Sequence, residues 1–279
     1  MTLIDIFLDL ICPTLGALLA TIMFGAPILD LRRAMKRGAL GDLNPFPWVM
    51  TTGNCLGWCI YSFLQGRDPF LMAANLPGLV VSFWLNSGAA KLQYQEMRDL
   101  KRTQSIAARE EWDASAPVET EEDEPSERSI GQNEFNTEQM VTVPQERSLM
   151  RMLSFWSLVV IYIGWVDTKN AAFVVGLTVN LNLIFFYGAP LQTIFKVIKE
   201  GHSNSIHRPT LYMNWTNTSF WILYGLAKMD PWIILPNVTG LSLGLGQGVL
   251  CNFYPQTSFN QSHEPVPLND DEDASGLVE

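Results

Sequence analysis

Amides and indoles recur at matched spacing in stretches that are otherwise apolar. "GNCLGWCIY" places Asn54 four residues before Trp58, and "TNTSFWILY" repeats the pair as Asn217 and Trp221. Two more amides interrupt long apolar runs, Asn75 in "FLMAANLPGLVVSFWL" and Asn237 in "PWIILPNVTGLSLGLGQGVL". Helical positions three and four apart share a face. Pro47, Asn54 and Trp58 therefore form one stripe, and Thr210, Asn214, Asn217 and Trp221 another. Amides and hydroxyls in hydrocarbon need a partner or water, so such a face must meet protein or a cavity. Symmetric amides beside symmetric indoles offer hydrogen bonds to hydroxyls and flat surfaces for C–H groups, which is what a sugar site requires. The plainer reading, that the amides only join helices to one another, suits any single Asn better than it suits a matched set.

Other chemistries find little support. The three histidines, His202, His207 and His263, lie outside the apolar runs, and Asp5 and Asp9 lie near a helix end. No catalytic set converges, so an enzyme is not expected, and neither a metal nor a cofactor is implied. Cys12, Cys55, Cys59 and Cys251 fall in apolar segments without metal-ligand or disulfide spacing. Spans two to seven carry no carboxylate at mid-depth, which favours uniport over proton coupling.

The elements that must hold these residues are membrane helices. Of the 279 residues 48% are hydrophobic and 16% charged. Much of the charge sits in two acidic segments: residues 110–146 hold twelve acids and one Arg, and 255–279 hold six acids and no base. Without them the net charge of −10 becomes +7, so the acidity implies no nucleic-acid partner and the segments read as disordered and solvated. Seven runs are long enough to cross a bilayer, near 7–30, 46–64, 70–91, 149–166, 171–196, 209–227 and 231–253. An outside N-terminus and a cytosolic C-terminus put fifteen of eighteen basic residues on the cytosolic side, leaving Arg67, Lys169 and Lys228 outside. The N-terminus, beginning with Asp5 and Asp9, does not resemble a cleavable signal. Asn-x-Ser/Thr sequons at Asn214, Asn217, Asn237 and Asn260 fall in spans or the cytosolic tail and should stay unmodified.

The spans repeat. "FGAPILDLRRAMKRG" aligns with "YGAPLQTIFKVIKEG", and Pro47, Asp68, Asn75 and Gly78 align with Pro209, Asp230, Asn237 and Gly240. Spans one to three thus recur as five to seven, and the intervening helix makes the two halves parallel. The expected fold is all-α: two three-helix bundles joined by a linker helix. The bundles cover 1–99 and 169–254, the acidic insertion 100–147, the linker 148–168 and the tail 255–279. Pro27, Pro47, Pro190 and Pro209, at repeat-related places, favour hinges.

At "GAP" (25–27 and 188–190), "PFPWVMTTGNCLGW", "GRDPFLMAANLPG" and "WILYGLAKMDPWIILPNVTG" the chain resembles the SWEET sugar transporters of the MtN3/saliva and PQ-loop group. The resemblance covers nearly everything except 100–147 and the tail. It implies bidirectional facilitated diffusion of a sugar by alternating access through a 3+1+3 bundle in the plasma membrane, or alternatively an internal one. Residue by residue it assigns sugar binding to Asn75 and Asn237, flanking positions to Trp58 and Trp221, hinges to the four prolines, and an extracellular gate to Tyr61 and Asp230. Two bulky indoles imply a hexose such as glucose. In the predicted outer loops Arg67 is a second candidate partner for Asp230. The acidic insertion is longer than the family pattern, and "GAP" replaces the Pro-Gln of the wider group, which disfavours an amino-acid transporter. A seven-helix receptor shares the topology, but the repeat argues against it. The expected partners are a sugar and the lipid bilayer, with association of protomers left open.

Overall fold

A computed structural model describes residues 2–115 and 142–256, and every regular element in them is helical. The acidic stretch 116–141 and the tail 257–279, with Asn260 and His263, lie outside the described residues. The first span starts as α1 (Leu3–Ile6), set by a Thr2/Asp5 capping box, and passes through a π-helical turn (Phe7–Ile11) into α2 (Cys12–Gly25). Its hydrogen bonding is interrupted at Ala26 because Pro27 has no N–H to give. The Met23 carbonyl accepts from Ala26 N instead, at 3.3 Å, and α3 (Pro27–Arg37) runs on to a left-handed Gly38.

The remaining helices are α4 (Phe46–Leu64), α5 (Pro69–Ser115), α6 (Pro144–Ile163), α7 (Thr168–Glu200), α8 (Arg208–Lys228) and α9 (Pro231–Phe253). Repeat-related caps start two of them. Asp68 Oδ1 accepts from Phe70 N and Leu71 N, and Asp230 Oδ1 accepts from Trp232 N, each carboxylate preceding a proline that opens the helix. Four segments are long and apolar enough to cross a membrane: Leu3–Arg37, Pro69–Trp112, Thr168–Glu200 and Pro231–Phe253. The other three predicted spans fall below that mark: Trp, Tyr, Thr, Asn and Ser dilute α4 and α8, and Glu146, Arg147 and Arg151 charge the start of α6. In α4 much of this polar content is buried in protein, including Thr52, Asn54 and Ser62.

The insertion expected to be disordered from residue 100 needs correction. α5 continues to Ser115 and α6 already begins at Pro144. The reason is local: residues 91–112 are rich in Lys, Gln, Glu, Arg, Leu and Ala, with no Gly or Pro to stop the helix.

Six helices close a ring. α2 packs on α5, α5 on α4, α4 on α7, α7 on α9, α9 on α8, and α8 back on α2, while α6 lies against α4 and α5. The two crossings between halves, α2 with α8 and α4 with α7, are repeat-related. α6 comes close because α4 offers glycines: a Cβ on Gly57 would stand 2.3 Å from the Trp156 ring. A core of Trp58, Tyr61, Trp156, Val179, Trp221 and Tyr224 joins both halves.

The halves fill one equivalent place differently. In the first, Asn86 Nδ2 donates to Thr52 Oγ1 at 3.0 Å and to the Trp48 carbonyl at 3.1 Å, Thr52 donates to Ser82 at 2.9 Å, and Gln145 of α6 donates to Asn86 Oδ1 at 2.5 Å. In the second, the positions of Thr52, Ser82 and Asn86 are taken by Trp215, Gly244 and Gly248, and the indole fills the space that both glycines leave. A polar network has become an indole lying on two glycines.

Candidate substrate-binding site

A cavity of about 220 Å³ lies inside the ring. α4 supplies Asn54 and Trp58, α5 Asn75, α8 Asn217 and Trp221, and α9 Asn237, so all six residues expected at the site share one wall. Its other lining residues are apolar or neutral, with no Asp, Glu, Lys, Arg or His.

The two indoles are held by neighbours one turn away. Trp58 meets Tyr61 edge-on with ring centroids 5.5 Å apart, and Trp221 meets Tyr224 likewise at 5.8 Å. Gly16 of α2 lets Trp221 approach: a Cβ there would stand 2.9 Å from its Nε1. Asn75 Nδ2 donates to the Leu71 carbonyl at 2.9 Å, and Asn237 Nδ2 to that of Ile233 at 2.7 Å. Each of these amides is thereby fixed against its own helix. Asn54 and Asn217 differ from them, since the Oδ1 atom of each is buried and accepts no hydrogen bond from the protein. A buried acceptor left open costs roughly 1–3 kcal/mol, and both residues line the one cavity.

Pro236 interrupts α9 within the cavity wall. Its missing N–H would have bonded the Trp232 carbonyl, which accepts from Asn180 Nδ2 at 3.2 Å, and the Pro236 carbonyl itself accepts from the Tyr187 hydroxyl at 2.8 Å. α7 thus supplies the donor that the proline cannot.

Towards the end carrying Asp68 and Asp230, two Tyr–Asp bonds cross between the halves. The Tyr61 hydroxyl donates to Asp230 Oδ2 at 2.8 Å, as expected, and the Tyr224 hydroxyl donates to Asp68 Oδ2 at 2.5 Å. The second pair was not anticipated, although its signal is the repeat itself: Tyr61 aligns with Tyr224, and Asp68 with Asp230. Gln65, also not anticipated, donates to the Tyr61 hydroxyl at 2.7 Å. The expected Arg67–Asp230 pair is absent, because the Arg67 guanidinium lies over the Phe63 ring, 5.2 Å from its centroid. Beyond the tyrosines a wider cavity of about 600 Å³ is lined by Arg67, Lys169, Lys228 and Trp232.

On the opposite, basic side a cavity of about 380 Å³ shares Tyr187, Asn214 and Gly240 with the central one. Pro190, inside α7, lines it. Pro27 marks the α2–α3 junction, whereas Pro47 and Pro209 occupy first turns of α4 and α8, where a missing N–H breaks no helical bond.

Both halves match a family model described as a sugar efflux transporter for intercellular exchange, MtN3/saliva, over residues 12–85 and 173–258. The chain belongs to the SWEET family. The two matched stretches are the two halves, and they pass over α6. Among similar proteins are the bidirectional sugar transporter SWEET5 of Arabidopsis thaliana, 23% identical with 87% of this chain and 85% of that one covered, and the sugar transporter SWEET1 of Xenopus laevis, 24% identical with 84% and 87% covered. The SWEET fold is likewise seen in a 3.7 Å structure of a eukaryotic SWEET transporter, which superposes with a TM-score of 0.65 at 19% identity, over 91% of this chain and 99% of that one. Together with its apolar helices, family membership makes this a multi-pass integral membrane protein with a 3+1+3 arrangement.

Proposed function

We propose that this SWEET chain is a bidirectional facilitative uniporter of a hexose, working by alternating access with its N-terminus outside and its C-terminus in the cytosol. The observation that carries this reading is that Asn54 and Asn217, with Trp58 and Trp221, line one uncharged cavity between the halves. Sugar hydroxyls pair with the amides, and the indoles stack on the ring C–H faces. Asn75 and Asn237 complete the site. A cavity of about 220 Å³, smaller than most sites for drug-sized ligands, suits one pyranose ring better than two.

The absence of charge from the lining disfavours an amino acid, whose ammonium and carboxylate groups would each need a counter-charge or several hydrogen bonds when buried. With no titratable lining carboxylate, coupling to protons has no carrier there. Tyr61 with Asp230, and Tyr224 with Asp68, form the outer gate, closed in this conformation, while the cavity on the basic side is the route to the cytosol. Pro27, Pro47, Pro190 and Pro209 are the hinges. The plasma membrane is the favoured location.

Radiolabelled glucose and sucrose uptake in a transport-deficient cell tests the reading. Saturable glucose flux in both directions, unchanged by a pH gradient, is the expected result. A flux that collapses with the gradient would overturn uniport, and no flux of any hexose would overturn the substrate class.

A further inference from the structure

We infer that Asp9 and Lys228 form a one-sided latch on the outer gate, an inference that rests on the transporter reading above. Gln65 and Lys228 hold the same place in the repeat, each four residues after its gate tyrosine. Gln65 turns inward to Tyr61 and, at 3.4 Å, to Asp230 Oδ2. Lys228 does otherwise. Its Nζ lies over the Tyr224 ring, 5.4 Å from the centroid, and 3.1 Å from Asp9 Oδ1.

Asp9 belongs to the π-helical turn of the first span, and α8 packs directly on that turn. Single π turns inside helices are frequent at functional sites because the extra residue re-aims side chains. The place equivalent to Asp9 in the second half is Ala172, which has no charge to offer. Of the other carboxylates nearby, Asp68 and Asp230 are each engaged by a tyrosine and by backbone N–H groups of their own helix. Asp9 is thus the carboxylate that answers Lys228.

The ion pair joins the first half to the second, as the two Tyr–Asp bonds do, but on one side only. Opening the gate moves α8 away from the first span, so the pair exists in the outward-closed state and is lost in the outward-open one. An interaction made in one state alone shifts the population toward that state. It lowers the fraction of carriers presenting an outward site, and with it the apparent affinity for external sugar. Both side chains are nearly half exposed, at 45% and 44%, so the bias is about 1.5- to 5-fold and weakens with salt.

The test uses an Ala74→Cys background, because Ala74 lines the central cavity behind the tyrosines and is only 2% exposed. A membrane-impermeant thiol reagent is added outside, with the chain lacking this substitution as baseline for the native thiols. Asp9→Asn and Lys228→Gln should each speed labelling about 1.5- to 5-fold and lower the half-saturating external glucose concentration by a similar factor. The reversed pair, Asp9→Lys with Lys228→Asp, should return both readouts toward the parent, and high salt should narrow the differences. Unchanged labelling in both single variants, or a reversed pair that labels as fast as they do, overturns the latch. Labelling that responds in a protein carrying no hexose keeps the latch and removes the sugar reading. Glucose flux with unmoved labelling removes the latch alone.

Discussion

The Tyr61 hydroxyl donates to the Asp230 carboxylate at 2.8 Å, and its repeat-related counterpart Tyr224 donates to Asp68 at 2.5 Å, so two bonds of one design tie the halves together at one end. Hydrogen bonds to charged groups contribute about 1.5–3 kcal/mol each. Tyr61→Phe or Tyr224→Phe should therefore shift the carrier toward the outward-open state. The Tyr61→Phe/Tyr224→Phe double variant should do so more than either, and net glucose flux should fall as the return step slows. Labelling of a central-cavity thiol from outside measures the shift. Equal labelling in all four proteins would count against a gate made of these bonds.

Asn54 and Asn217 tell binding and stability apart. If these amides serve a sugar rather than packing, then Asn54→Leu or Asn217→Leu should raise the thermal midpoint of the sugar-free protein, since each removes a buried, unpartnered acceptor costing roughly 1–3 kcal/mol. The same variants should bind glucose about threefold to tenfold more weakly, the worth of one hydrogen bond. Asn75→Ala and Asn237→Ala should abolish transport at equal surface expression. A drop in both midpoint and binding for the Leu variants would mean that the amides serve packing.

Trp58 and Trp221 set the size of the pocket. Each indole can bury on the order of 200 Å², so shortening both, as Trp58→Ser with Trp221→Asn, should enlarge the cavity, weaken glucose binding and admit sucrose. Competition of unlabelled sucrose against labelled glucose reads this directly. Sucrose competing as well as glucose in the unmodified protein would refute the two-indole filter while leaving the transporter intact.

The unlike inner packing of the halves predicts unlike responses. Asn86→Leu takes one partner each from Gln145, Thr52 and the Trp48 carbonyl in the first half and should lower stability by about 1–3 kcal/mol. Gly248→Ala in the second half places a Cβ 2.4 Å from the Trp215 ring and should cost a similar amount, about 1–3 kcal/mol, through overpacking. Thermal unfolding in detergent checks both. A neutral Gly248→Ala would show that the indole moves aside freely.

Among the prolines, Pro27 and Pro190 interrupt helical hydrogen bonding, whereas Pro47 and Pro209 sit in first turns. Restoring the N–H in Pro27→Ala or Pro190→Ala should stiffen the helix there and slow sugar exchange more than it weakens equilibrium binding. The first-turn pair should show a smaller effect of the same kind. Exchange and binding falling together at Pro190→Ala would remove the hinge role.

Much of this was legible in the sequence because a repeat duplicates its evidence. The offset between "GNCLGWCIY" and "TNTSFWILY" paired Asn54 with Asn217 and Trp58 with Trp221, and helical periodicity put each pair on one face, since both facts depend only on neighbours along the chain. Which face meets which is a different matter. Only the closed ring of six helices decided that α2 crosses α8 and α4 crosses α7, which brings Tyr224 to Asp68 and Lys228 to Asp9. It also decided that Arg67 rests on Phe63 rather than on Asp230. The continuation of α5 to Ser115 was open to propensity reading, yet composition over a wider window masked it. Local periodicity fixes what a helix offers, because side-chain direction follows from backbone geometry. Partners between helices depend on rotations and crossings set by the packing of every helix at once.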